Sequence, residues 1–502
     1  MATTRREFLQ SVAPSHSGKA TQTAKPAPVP GTSALPAPSA IALLTSRCSY
    51  GLTQAEYGQA SSLGSSAWLS QQLAYASLDD SALQAEIAAS YPRVNQSVTD
   101  LLVEARALSD GGSNAAREHV RATLLRRIKS KRQLYEVMVE FWTNHFNIHN
   151  GSSPLRIYKL IDDREVIRVH ALGNFGALLK ATAHSPAMLE YLENFNNVAG
   201  VAQENYAREL MELHTLGVDG GYTEADVKDV ARCFTGWSIR KVVADTPQFY
   251  FYQSRHDTGA KLVLGNAVPA GRGVEDGDQV LDILFNHPST AHNIARKLCT
   301  HFIGDSPEST AVDAVAATYK SSNGDIPAML RTLFSRAEFL ASYDRKVRRP
   351  GSLLPASLRV VGASLTGDYQ PTLSSRLKLL GNVPYLWLAP DGYPDSIDYW
   401  INTGSSLNRW NWMLALAEGK AYSGISVDIP GLIGTATTPK QLVDALATRV
   451  LRRSLSSTDR TTLINYAAAG GNANTPLAAA TLLQTGKELL GMMLSSAYFQ
   501  YR

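Results

Sequence analysis

The sequence predicts a mainly α-helical protein, a multi-helix globular array carrying one small β-hairpin insertion. Segments with apolar residues at three- and four-residue spacing follow one another from Ser39 to the end, joined by short connections. Only Pro247 to Ser254, PQFYFYQS, has the aromatic, extended character of a strand. No internal period of about 20 to 50 residues appears, which argues against a solenoid. With 502 residues, 44% of them hydrophobic and 18% charged, the chain can build a large core of ordinary globular composition.

Residues 1–38 read as a leader and linker. Thr4 to Gln10, TRREFLQ, resembles the core of a twin-arginine export signal, but the apolar run that should follow gives way to PSHSGKATQTAKP. A working signal would place the protein in the periplasm or outside the cell, and a degraded one would leave it in the cytoplasm. The Pro-, Ala-, Ser- and Thr-rich remainder lacks the apolar surface needed to order itself.

Residues 39–240 read as an N-terminal helical lobe. Within it, Gln133 to His149 forms a helix with Leu134, Met138, Phe141 and Trp142 as its stripe. His145 and His149 then stand one turn apart, a spacing that can share a metal ion, although Phe146 occupies the place where the usual zinc motif has a glutamate. Leu155 to His170 reads as one charged helix, and Asn174 to His184 as the next.

The richest stretch is Gln203 to Trp237, QENYARELMELHTLGVDGGYTEADVKDVARCFTGW. Leu210, Leu213 and Leu216 suggest its buried stripe, and Asn205, Glu209 and Glu212 fall along one polar flank with His214 near the helix end. Gly217 suits a helix terminus with positive φ, and Thr223 with Asp226 makes a capping-box variant for a second helix. The structural alternative is that Arg208 and Glu212 form a surface pair and Asp226 is only a cap.

Residues 241–272 read as the hairpin insertion, with Lys261 to Leu264 pairing back on the PQFYFYQS strand and His256-Asp257 at the turn. Residues 273–502 return to helical spacing as a C-terminal lobe, in which Pro384 to Asp395 wraps over the core as a loop.

Composition and motifs exclude several classes. A net charge of +4, from 48 basic and 44 acidic residues, is close to balance and gives no reason to expect a nucleic-acid partner. No stretch approaches the roughly 18 apolar residues of a membrane helix. Cys48, Cys233 and Cys299 lack the spacing of a disulfide framework or a zinc knuckle. Walker loops, GxGxxG after a strand and GxSxG elbows are all missing.

The Gln203 to Trp237 stretch resembles the signature of DUF1800, a large bacterial family of unknown function. Further stretches resemble the same family in the same order, among them VMVEFWTNHFNIH ending at His149, HDTGAKLVLG from His256, KLCTHFIGD from Lys297 and PDGYPD from Pro390. The resemblance carries the Asn144-His145-Phe146 triplet more firmly than His149. It implies no activity, so two classes stay open. In the first, an acid–base or metal-assisted enzyme, a hydrolase among the options, uses His145, Glu209, Glu212 and His214 as catalytic groups. A divalent metal, if bound, would take His145, Glu209 and His214, with Asn144, Asn205, Arg208, Asp226, His256 and Asp257 lining the pocket. In the second, a non-catalytic binding or surface-assembly protein, the polar cluster only locks helices together.

Overall fold

Apolar stripes become helices throughout the residues that this computed structural model describes, 35–241, 247–419 and 422–502. Of the expected leader and linker, residues 1–34 lie outside that set. Residues Ala37–Arg502 cluster as one unit. Among the described residues the only sheets are three two-stranded antiparallel pairs, so the mainly α-helical class holds.

The strand pairing differs from the single expected hairpin. β1 (Trp237–Lys241) pairs with β2 (Pro247–Phe251), while β3 (Lys261–Val263) pairs with β4 (Asn266–Val268). Lys261 and its neighbours therefore pair forward across a tight turn, not back onto the aromatic strand. Trp237 belongs to β1 and packs edge-on against Phe234 and Phe249, with ring centroids 5.0 and 4.9 Å away. β5 (Ser364–Leu365) and β6 (Ile425–Ser426) form the third pair.

Two helices set up the candidate cleft. Gln133–His145 buries Leu134, Met138 and Trp142 completely and ends where Phe146 leaves helical geometry at φ −101°, ψ 57°. His149 thus lies beyond the helix and is not one helical turn above His145, so the expected histidine pair on one helix face does not form. Pro288–Phe302 starts with His287 accepting from the Ser289 N–H and with proline at a first-turn position, where no N–H is needed. Its apolar face, Ile294, Ala295, Leu298 and Phe302, is fully buried.

The expected helix from Leu155 to His170 is interrupted by a π turn, Asp163–Ile167. A second π turn, Leu210–His214, follows the short helix Glu204–Glu209 and ends that element before Gly217 at φ +91°. The wider turn changes which side chains face inward. Tyr206, Ala207, Leu210, Met211 and His214 are buried, whereas Leu213, expected in the stripe, is only half-buried. Thr223 then caps Glu224–Cys233 with Asp226 in a reciprocal capping box, as its spacing predicts.

Candidate functional site

A cleft of about 270 Å³ lies between the end of Gln133–His145, the polar face of Pro288–Phe302 and the loop Asp391–Asp395. The first helix contributes Phe141, Asn144 and His145, and the second contributes Arg296, Lys297, Thr300 and His301. Lys297 and His301 stand at i and i+4, so one helix face presents both.

The loop is clamped in place by asparagines. Asn144 accepts the Tyr393 N–H at 2.7 Å and donates to the Tyr393 carbonyl at 2.9 Å, while Asn147 donates to the carbonyls of Trp387 and Ala389. Gly392 is obligatory at the contact. Its φ is +76°, and a Cβ there would lie 2.1 Å from the Asn144 carbonyl oxygen. This clamp delivers Asp395 to the helix face.

His301 donates from Nδ1 to Asp395 Oδ2 at 3.0 Å, and its Nε2 has no hydrogen-bond partner among the described residues. His301 is only 3% exposed. Burial pulls its pKa down to about 4, against the opposing pull of Asp395. Burial also pushes the Asp395 carboxyl up, but Lys346, Arg349 and His301 outweigh it and hold the group well below the usual carboxylate range. Lys346 reaches Asp395 Oδ1 at 2.9 Å and Asp305 Oδ1 at 2.7 Å.

The π turn Leu210–His214 holds two of the lining side chains, His145 and Lys297, from behind. A helix end leaves carbonyls without intrahelical donors, and here three successive ones are met from outside. Lys297 Nζ donates to the Leu213 carbonyl at 2.8 Å, the His145 Nε2 lies 3.1 Å from that of His214, and Asn293 donates to that of Thr215 at 2.7 Å. Because a carbonyl can only accept, His145 carries its proton on Nε2, and Nδ1 accepts from Lys297 Nζ at 3.2 Å. Burial, then Lys297 and His214, hold the His145 pKa well below the ordinary value. Burial and Arg296 lower the Lys297 amine to about 8.

The structure brings Asn144, His145 and His214 together, with the two imidazole centroids 5.9 Å apart. His214 is buried with Nε2 unpartnered among the described residues, and burial, then Lys297, lowers it to about 3. The remaining expected residues take other places. Glu209 and Glu212 stay half-buried on the flank of the turn, Glu212 against Tyr222, and neither is among the charges that act on His145. Among the described residues no three of the His, Cys, Asp and Glu groups converge as a metal centre requires, so His145, Glu209 and His214 are not assembled as a ligand set. The reason is local, since both nitrogens of His145 already meet the His214 carbonyl and Lys297.

Asn205 donates to the Leu192 carbonyl, and Arg208 pairs with Glu204 and Glu224 instead of Glu212. Asp226 serves the cap and also accepts the Leu264 N–H. His256 meets the Thr235 carbonyl and Asp276, and Asp257 meets Arg232, so the His-Asp pair organises the β3 region and contributes no lining to the cleft.

Lys297, His301 and Asp395 were missed as chemistry from the sequence, although the KLCTHF and PDGYPD runs that carry them stand out in it. The i, i+4 spacing of Lys297 and His301 was the available signal. Asp395 lies 94 positions after His301, and no local pattern links them.

No curated protein and no solved structure matches the chain. The family model described as "Protein of unknown function (DUF1800)" matches residues 43–501, nearly the whole length. The chain belongs to the DUF1800 family.

Proposed function

We propose that the cleft is the active site of an acid–base enzyme acting on a small anionic substrate. The observation that carries this reading is the His301–Asp395 pair, which lines the cleft with its second ring nitrogen unpartnered. Asp395 accepts the Nδ1 proton, so the lone pair resides on Nε2, where it can take a proton from substrate or from an attacking water. The carboxylate then steadies the imidazolium that forms. Lys297, with its amine near 8, remains largely protonated at neutral pH and is the acid that can return a proton to a leaving group, with His145 accepting one of its hydrogens. Arg296 and Arg349 line the same cleft and favour an anion, and the buried Arg349 Nε has no hydrogen-bond partner among the described residues.

The test is a turnover screen of the full chain against small carboxylate and phosphate esters. His301→Asn should reduce turnover by about 10²- to 10⁴-fold, the usual contribution of a general base. Lys297→Met should remove the alkaline limb of the pH profile near 8. Turnover that is unchanged in His301→Asn would overturn the reading.

A second reading, a non-catalytic binding protein, draws on Asp226, Arg208, His256 and Asp257. All four are committed to caps and ion pairs. Saturable binding of such esters without turnover would favour it.

A further inference from the structure

A second cleft, of about 370 Å³, opens where the helix Ser113–Lys129 meets the π turn Asp163–Ile167, and it shares no lining residue with the acid–base cleft. Four arginines line it, Arg126, Arg132, Arg164 and Arg168, against the acids Asp80, Glu136 and Asp163. Three of the arginines are engaged. Arg168 holds both oxygens of Glu136 at 3.0 Å and Asp163 at 2.9 Å. Arg132 donates to the Leu78 carbonyl, and Arg164 donates to those of Val94 and Gln96.

Arg126 is different. It is 9% exposed, yet its guanidinium makes no hydrogen bond or ion pair among the described residues. Its nitrogens are not among the buried unpartnered atoms, so on this mostly buried side chain they open to the cleft. Beside it, His119 is 2% exposed, and neither ring nitrogen makes a hydrogen bond, although Nε2 lies 3.2 Å from Asp163 Oδ2. Asp163 Oδ1 is also buried without a partner. Burial, then the neighbouring Arg168, lower the Arg126 pKa against the pull of Glu136 and Asp163. Asp163 itself sits in a π turn, a distortion that recurs at functional sites.

We propose that this cleft binds a small ligand bearing a carboxylate or phosphate, with the oxyanion seated on Arg126 and His119 at its edge. The oxyanion supplies the hydrogen-bond acceptor that the Arg126 guanidinium lacks. The stacked rings of Tyr75 and Tyr135, 4.2 Å apart, form a wall for the rest of the ligand. The site is independent of the acid–base reading.

Crystals of the full chain soaked in selenate provide a test that reports position. An anomalous peak beside the Arg126 guanidinium is expected, and it should be lost in Arg126→Met. Displacement by inorganic phosphate alone would assign a phosphate ligand, and displacement by malonate as well would extend the assignment to carboxylates. The absence of a peak in this cleft of the wild-type protein would overturn the proposal, as would a peak that persists in Arg126→Met. Should that variant fail to fold, Arg126→Gln takes its place, and the same loss of the peak is required.

Discussion

The Gln203–Trp237 stretch and the cleft beside it draw on the same residue types and use them differently. In the stretch, charged groups lie at the surface in pairs that local spacing already suggests: Thr223 with Asp226, and Arg208 with Glu204. In the cleft, charged groups are buried and meet partners far away in the chain. Examples are His301 with Asp395, and Arg349 with Glu140, which lies behind the cleft, at 3.3 Å; Glu140 also meets Arg127 at 3.7 Å. Exposed pairs contribute little because water solvates either partner alone. Buried ones are costly to break because the survivor stays desolvated. The comparison teaches that density of polar residues in sequence marked an architectural region, while the buried charges of the proposed site are dispersed along the chain.

Glu140→Gln should break the comparison most severely. Burial raises the Glu140 carboxyl, but Arg127 and Arg349 overcome this and bring it to about 2. Removing its charge strands two buried guanidinium groups, and chemical denaturation should show a loss of about 3–5 kcal/mol.

His301→Asn sharpens the contrast through pH. The folded protein gives up the His301 proton near pH 4, while an unfolded chain does so near 6.5. Between those values the unfolded state binds more protons, so stability falls as pH drops through the window. His301 alone accounts for about 3 kcal/mol of that loss. The variant should lose this part of the acid sensitivity while losing turnover, and denaturation curves at pH 6.5 and 4 check it.

Gly392→Ala should force the loop off Asn144, since the positive φ and the backbone contact both oppose a Cβ. A cost of about 2 kcal/mol is expected from thermal melts. Turnover should fall with it, because Asp395 rides on the same loop.

Thr223→Ala, in the architectural stretch, should have the smallest effect. Loss of the N-cap costs about 1 kcal/mol, and turnover should be unchanged when both are measured on one preparation. A larger effect on turnover than on stability would place chemistry in the stretch after all.

Much of the fold was legible because a helical stripe is a local pattern. Phe175–Ala183 lies within one residue, at each end, of the expected Asn174 to His184. The hairpins were less so. Lys261–Val263 had two extended neighbours to choose from, and the tight turn to Asn266–Val268 decided the pairing. The π turns left no mark in the spacing, and Leu210–His214 changed the inward set from Leu213 to Met211 and His214.

For the site, the sequence by itself determined that Asn144 and His145 belong to an apolar-striped helix and that Gly217 and Thr223 bracket a turn, and it held the i, i+4 spacing of Lys297 and His301 as an unused signal. These follow from residue-to-residue geometry over one or two turns. Only the tertiary structure decided that the His145 ring nitrogens meet the His214 carbonyl and Lys297, and that Asp395 reaches His301. Those contacts depend on how a π turn presents its carbonyls and on a loop held by Asn144, 249 positions before Tyr393. Nothing local records such distances, because burial and long-range packing set which polar groups must find one another.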